Sequence, residues 1–173
     1  AMSVSDQDDG MHSLFKGYFP PQFLCDLPHD SETTKKLDDF LAKNSAEIAA
    51  IIIEPLVQGS GGMKFHQASC LETIVRLARE HNVLLIADEV MTGFGRTGSM
   101  FACGEASVSP DIVCLSKALT GGTIGMATTI VSDKVYEAFL GDGFNKALKH
   151  GPTFMANPLA CAAANASLDL FEK

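Results

Sequence analysis

The chain has 173 residues, of which 46% are hydrophobic and 20% are charged, and its formal net charge is −8 at pH 7. This length is sufficient for one domain with a hydrophobic core. No stretch approaches the roughly 18 uncharged apolar residues of a membrane-spanning helix, and the acidic balance argues against a nucleic-acid surface. We therefore expect neither a membrane nor a nucleic acid as a partner.

The cysteines indicate a reducing compartment. There are five, an odd number, and none forms a C-x-x-C pair. Several lie in apolar segments, as buried free thiols do. The first residues also lack a basic region followed by an apolar one, so we expect no signal peptide and a cytoplasmic location. The five histidines are scattered without the spacing of metal ligands, and we expect no metal site.

The first third of the chain predicts a helix and a strand. Residues 1–30 have little periodicity, and Ser31 is a candidate cap for a helix with one apolar face. Residues 49–54 predict a buried strand that Pro55 stops. The glycine-rich residues 58–62 predict a loop.

The remainder alternates between helix and strand patterns. Helical spacing over 71–78 is followed by a strand that reaches Asp88, which predicts a β-α-β unit with parallel strands. Residues 92–98 predict a loop, and 111–116 and 127–131 predict two further strands. A final helix is predicted to begin at Asn157-Pro158, with one face formed by Leu159, Ala162, Ala163, Ala166 and Leu170. This order predicts a three-layer α/β/α sandwich.

An acid and an amine end two of the predicted strands. Asp88 ends the apolar run that starts at Val83, and Lys117 ends the run that starts at Ile112. Such short, uncharged, β-prone runs are typical of strands that are buried on both faces. Ligands bind at the carboxyl ends of strands in open α/β sheets, so we expect both side chains to lie at a ligand site.

This pair suits pyridoxal 5'-phosphate, whose chemistry requires a lysine and an acid. A carboxylate near 4 Å favours the protonated pyridine nitrogen by about 4 kcal/mol at an effective dielectric of 20, which is roughly three pKa units. We assign this role to Asp88, because strand alternation points Glu89 to the opposite side. Lys117 would bind the cofactor covalently and later move a proton. The alternative for Lys117 is an ordinary solvent-facing lysine at a strand end.

Two segments resemble the class III pyridoxal-phosphate-dependent aminotransferases. Residues 85–98 read LIADEVMTGFGRTG, and residues 110–122 read PDIVCLSKALTGG. The resemblance implies the large domain of the fold type I transferases. It also implies that Asp88 pairs with the pyridine nitrogen and that Lys117 is the cofactor-binding and catalytic lysine.

Four further segments resemble the members of this family that act in biotin synthesis. They are residues 11–18 (MHSLFKGY), 54–63 (EPLVQGSGGM), 150–155 (HGPTFM) and 157–166 (NPLACAAANA). This resemblance implies amino transfer from S-adenosylmethionine to 8-amino-7-oxononanoate, which yields 7,8-diaminononanoate. One departure is Met91, which stands where many relatives carry a glutamine beside the ring.

The same resemblance implies a homodimer with shared sites. Pro152 and Thr153 would bind the cofactor phosphate of the opposite subunit, since a hydroxyl and backbone N–H groups are good phosphate ligands. Gly151 would line the substrate pocket together with Lys117, where the missing side chain leaves room. A plain turn is the alternative for residues 151–153.

Other functions stay open from the sequence. A different class III aminotransferase would act on ornithine, γ-aminobutyrate or a similar amine. The acidic strand also resembles that of a P-loop ATPase, but the G-x-x-x-x-G-K-[ST] motif is missing. The resemblance further implies that residues 1–173 are part of the large domain, without the family's N-terminal part and C-terminal small domain. We therefore expect the isolated chain to be inactive or nearly so, and an inactive folded fragment is the third possibility.

Overall fold

The structure is a computed structural model that describes residues 2–5 and 12–173; residue 11, the first of the segment 11–18, lies outside them. The α-helices are α1 (Ser31–Asn44), α2 (Ala68–Glu80), α3 (Asp133–Glu137) and α4 (Pro158–Phe171). The strands are β1 (Ala50–Ile53), β2 (Val57–Gln58), β3 (Lys64–Phe65), β4 (Leu84–Asp88), β5 (Ile112–Leu115) and β6 (Thr128–Val131). Short 3-10 helices span Met2–Val4, Ser13–Phe15, Ser45–Glu47, Ala102–Gly104, Lys117–Thr120 and Phe144–Lys146.

Four strands form one sheet in the order β1-β4-β5-β6. β1, β4 and β5 run parallel, and β6 is antiparallel to β5. The predicted β-α-β unit is therefore confirmed, with α2 as the connection between β1 and β4. Most of the predicted loop at 58–62 lies in the turn of a small antiparallel hairpin, whose strand β2 already includes Gln58.

The hydrophobic core lies between α2 and one face of the sheet. Apolar residues of α2 recur at helical spacing, and they pack on the alternate residues of β4 that point toward the helix. Leu37 and Leu41 of α1 join the same cluster. The core residues of the two layers are Leu71, Ile74, Val75 and Leu77 from α2 with Ile53, Leu85 and Ala87 from the sheet.

The opposite face of the sheet is only partly covered by the described residues. Ile52 and Val131 point to this face and remain 37% and 38% exposed. Burial along β4 alternates, so the prediction of strands buried on both faces is wrong for this chain. The α/β class is confirmed. Two of the three predicted layers are present within the described residues. One is the sheet, and the other is the helical layer of α1 and α2.

The helix starts follow capping rules. The cap of α1 is Asp30 and not Ser31, because the Asp30 carboxylate accepts the Thr33 N–H while the Thr33 hydroxyl accepts the Asp30 N–H. The hydroxyl of Thr33 thus completes a reciprocal box that the sequence analysis missed. Asn157 caps α4 as predicted, with its Oδ1 accepting two backbone N–H groups.

The buried face of α4 differs from the predicted one. Ala160 and Ala164 are buried, whereas Leu159 is 74% exposed. Small side chains let the helix approach its neighbour closely, so the helix packs through them and through the partly buried Leu168, and not through Leu159 or Leu170. No helix in the described part of the chain is long and apolar enough to span a membrane.

Candidate active site

Asp88 and Lys117 lie at the same edge of the sheet. Asp88 is the last residue of β4, and its Cα is paired with that of Cys114 in β5. Lys117 begins the 3-10 turn that follows β5. Because the two strands are parallel neighbours, both residues lie at adjacent carboxyl ends, as the sequence predicts.

The Asp88 carboxylate keeps one oxygen available for a ligand. Its Oδ1 accepts the Val90 N–H at 3.1 Å, and within residues 2–5 and 12–173 no donor reaches Oδ2. The charge of Asp88 raises the pKa of Cys114, the residue paired with it on the adjacent strand β5. Burial raises the pKa of the Cys114 thiol, the Asp88 charge raises it further, and a hydrogen bond with Thr129 opposes both. Asp88 therefore presents an anionic oxygen to the partly covered face of the sheet.

Glu89 has a different environment from its neighbour Asp88. It is 1% exposed, and its two oxygens accept the Thr92 hydroxyl at 2.8 Å and the Ala102 and Cys103 N–H groups at 2.9 and 2.8 Å. Burial raises the pKa of the Cys103 thiol to about 12, and the charge of Glu89 and its hydrogen bond contribute to this shift. Glu89 thus ties both ends of the following loop to the core, while Asp88 faces the other way.

The loop after β4 is held close to the strand end. A Cβ on Gly93 would lie 2.9 Å from the Glu89 carbonyl oxygen, so only glycine fits there. Phe94 has a φ of 62° and donates its N–H to the Met100 carbonyl at 2.6 Å. These constraints fix the backbone that leaves Asp88.

Lys117 combines an exposed side chain with an unusual backbone. Its φ is 45°, in the left-handed region that residues with a Cβ rarely adopt. Within the described part of the chain, neither an ion pair nor a hydrogen bond engages its ammonium group. Leu119 and Thr120, later in the same turn, are 6% and 2% exposed, so the turn is anchored in the core although the Lys117 side chain is exposed. Strained backbone of this kind concentrates at functional sites.

A third carboxylate, Glu54, follows β1 beside the strand of Asp88. Glu54 accepts the Gly59 N–H at 3.0 Å and the Ser60 hydroxyl at 3.2 Å, which closes the loop after β1. A Cβ on Gly59 would lie 2.6 Å from Sδ of Met91. The loop therefore rests directly on Met91, a contact that the sequence analysis did not anticipate because it depends on tertiary structure.

The structure does not bring residues 151–153 to the strand ends. Gly151, Pro152 and Thr153 are exposed and lead into α4. Pro152 accepts the Met155 N–H at 3.0 Å, and no hydrogen bond in the described residues joins the segment to Asp88 or Lys117. Its proposed contact with a second subunit stays a prediction.

An α/β sheet with an acid and a lysine at its carboxyl edge is the architecture of the fold type I pyridoxal-phosphate-dependent transferases. A family model described as aminotransferase class-III matches residues 1–173. The chain belongs to the class III aminotransferases, a family whose cofactor is pyridoxal 5'-phosphate.

Several of the similar proteins share one name. The adenosylmethionine-8-amino-7-oxononanoate aminotransferases of Corynebacterium glutamicum and Mycobacterium leprae are 45% and 47% identical to the chain, over 99% and 98% of its length. A crystal structure of the enzyme with this name from Methanocaldococcus jannaschii is 37% identical over 99% of the chain, with a TM-score of 0.91. The chain spans 42%, 39% and 40% of these three proteins, so it corresponds to about two fifths of their length.

Replacing Glu89 by alanine will destabilise the protein. Glu89→Ala leaves three buried donors without an acceptor, and we expect the free energy of unfolding to fall by about 2–5 kcal/mol. Glu89→Gln keeps one acceptor oxygen, so its free energy of unfolding should lie between those of Glu89→Ala and the parent. Urea unfolding measures the change. The exposed Glu105→Ala is the control and should stay within about 0.5 kcal/mol of the parent. An equal effect of Glu89→Ala and Glu105→Ala would contradict the anchoring role of Glu89.

Removing the charge of Asp88 will make Cys114 more reactive. Asp88→Asn preserves an acceptor for the Val90 N–H but removes the anion that raises the pKa of the Cys114 thiol. More thiolate is then present at a given pH below that pKa, so alkylation by iodoacetamide becomes faster. Site-resolved mass spectrometry measures the rate, with the exposed Asp133→Asn as a control. An unchanged rate at Cys114 would mean that the Asp88 charge does not reach the thiol.

Proposed function

We propose that this chain carries the central part of the active site of an aminotransferase that moves an amino group from S-adenosylmethionine to 8-amino-7-oxononanoate in biotin synthesis. The observation that carries this proposal is the placement of Asp88 and Lys117 at adjacent strand ends, in a chain 45% identical to a relative with that printed name. The alternative is a class III aminotransferase with another amine substrate.

The residues at the strand ends fit the cofactor. Oδ2 of Asp88 is available for a charged hydrogen bond from a protonated pyridine nitrogen, whereas both oxygens of Glu89 are already engaged. When bound, pyridoxal 5'-phosphate supplies an electron-accepting ring that stabilises negative charge on the carbon bearing the amine. Asp88 supports this by holding the proton on the ring nitrogen.

Lys117 has two roles in this proposal. Its exposed ε-amine binds the cofactor covalently, and the free amine later moves a proton to and from the substrate carbon. The left-handed backbone fixes the direction from which the side chain leaves the turn. Glu54 and Met91 belong to the surroundings of this site, because the Glu54-closed loop rests on Met91 next to the end of β4.

The phosphate contacts come from a second subunit in this proposal. Pro152 and Thr153 lie in an exposed segment that another molecule can reach, and Gly151 precedes them without a side chain. The Thr153 hydroxyl and nearby backbone N–H groups would bind the phosphate of the partner's cofactor. The protein would act as a homodimer, and its five free cysteines suit the reducing cytoplasm.

The length of the chain bears on its activity. Residues 1–173 match about two fifths of the relatives, and we propose that they form part of the large domain. The open sheet face and the single free oxygen of Asp88 supply one side of a cofactor site. We therefore expect cofactor capture by the chain alone, without efficient turnover.

Reductive trapping tests the cofactor site. After incubation with pyridoxal 5'-phosphate and reduction with borohydride, we expect Lys117 to carry the added mass in preference to the other lysines. Asp88→Asn should lower the labelling at Lys117, because the ring nitrogen loses its anionic partner, while Asp133→Asn should not. Peptide mapping measures each lysine. Labelling spread evenly over exposed lysines would overturn the assignment of Lys117.

The amino donor is tested in a chimera. Residues 1–173 replace the matching segment of the Methanocaldococcus jannaschii relative, which has the same fold over 99% of the chain. We expect the chimera to retain the parent's preference for S-adenosylmethionine over ornithine and γ-aminobutyrate. Lys117→Ala in the same chimera should lower the rate by at least about a hundredfold. A change of preference toward ornithine or γ-aminobutyrate would favour the alternative aminotransferase.

A further inference from the structure

The backbone of Lys117 needs support to keep its conformation. A φ of 45° is disfavoured for any residue with a Cβ, so an isolated turn would relax toward the right-handed region. Such relaxation changes the direction of the Cα–Cβ bond and moves the ε-amine away from its position. The surrounding structure must therefore hold the residues on both sides of Lys117.

Ser116 holds the turn on its N-terminal side. Its hydroxyl donates to the Met126 carbonyl at 2.7 Å, and its own carbonyl accepts the Leu119 N–H at 3.0 Å. Met126 lies just before β6, the strand that pairs with β5. The side chain thus ties the end of one strand to the approach of its neighbour, one residue before Lys117.

Helix α4 holds the turn on its C-terminal side. The hydroxyl of Ser167 donates to the carbonyl of Ala118 at 3.3 Å. Ala160 and Ala164 on the same helix are 3% and 5% exposed, and their small side chains allow this close approach. A Cβ on Gly121, at the end of the turn, would lie 3.7 Å from the Ser167 hydroxyl oxygen. The helix therefore contacts the turn on both sides of Leu119.

We propose that Ser116 and Ser167 are positioning residues that hold Lys117 in its left-handed conformation and so direct its ε-amine to the cofactor. This inference rests on the proposed function of Lys117 and assigns a role to two side chains outside the acid–lysine pair. Neither serine contacts the cofactor in this account. They act only through the backbone on either side of the lysine.

The test compares two reactions of the same lysine in Ser116→Ala and Ser167→Ala. Capture of pyridoxal 5'-phosphate by borohydride reduction depends on the position of the amine, whereas acetylation by acetic anhydride without cofactor depends on its exposure. We expect capture at Lys117, relative to the other lysines, to fall about threefold to tenfold, as the loss of one hydrogen bond predicts. Acetylation of Lys117 should not change.

Two further variants separate positioning from stability. Ser132→Ala is the matched control, because the Ser132 hydroxyl is buried without a hydrogen-bond partner among the described residues, and its capture should equal the parent's. Ser116→Thr preserves the donor and should restore capture. All reactions are run below the melting temperature of the least stable variant, so that an unfolded fraction does not contribute.

The outcomes distinguish this inference from the proposed function. If the parent chain captures cofactor at Lys117 and both alanine variants capture it equally well, the positioning role is wrong and the proposed function stands. Equal losses of capture and acetylation would also contradict positioning, since they would report altered exposure. If the parent chain shows no preference for Lys117, the proposed function fails, and this inference fails with it.

Discussion

The parallel pairing of β4 with β5 is the constraint on which the site depends. The register joins Ile86 to Ile112 and Asp88 to Cys114, so the two strands end at the same edge of the sheet. A shift by one residue would turn Asp88 into the core and Glu89 out of it. The core contacts of Leu85 with α2 oppose such a shift, because they would be lost together. Packing of Leu85 against α2 on one face of the sheet thus fixes the direction of Asp88 on the other face.

Strand alternation gives the neighbouring acids Asp88 and Glu89 different surroundings, so that one supports the fold and the other faces the proposed site. Glu89 is buried and accepts three hydrogen bonds, which hold the following loop in place. Asp88 keeps an oxygen available and shares its face with Cys114. Neither acid can replace the other, since the buried one has no free acceptor and the open one has no core contacts. A similar separation holds at Lys117, where buried neighbours support an exposed amine.

The sequence predicts those features that depend on local pattern or on a contiguous motif. The strand end at Asp88 and the Asn157 cap follow from an apolar run and capping chemistry, and the structure confirms both. Lys117 was predicted to end a strand and instead begins the 3-10 turn just after β5, at the same edge of the sheet. Features that require distant contacts were missed, such as the Glu54 loop and the side of α4 that packs. The prediction that both sheet faces are buried was wrong, because an apolar run indicates that a strand is hydrophobic and does not indicate that another layer covers it. Apolar patterning alone does not distinguish a strand covered on both faces from a strand covered on one.

The account is tested most directly by a crystal structure of the chain after incubation with pyridoxal 5'-phosphate and reduction with borohydride. The central claim is that Asp88 and Lys117 act on one ring from adjacent strand ends. The account predicts a ring attached to Nζ of Lys117, with its pyridine nitrogen about 2.7–2.9 Å from a carboxylate oxygen of Asp88. A ring attached to Lys117 whose nitrogen faces solvent, or a ring attached to a different lysine, would contradict it.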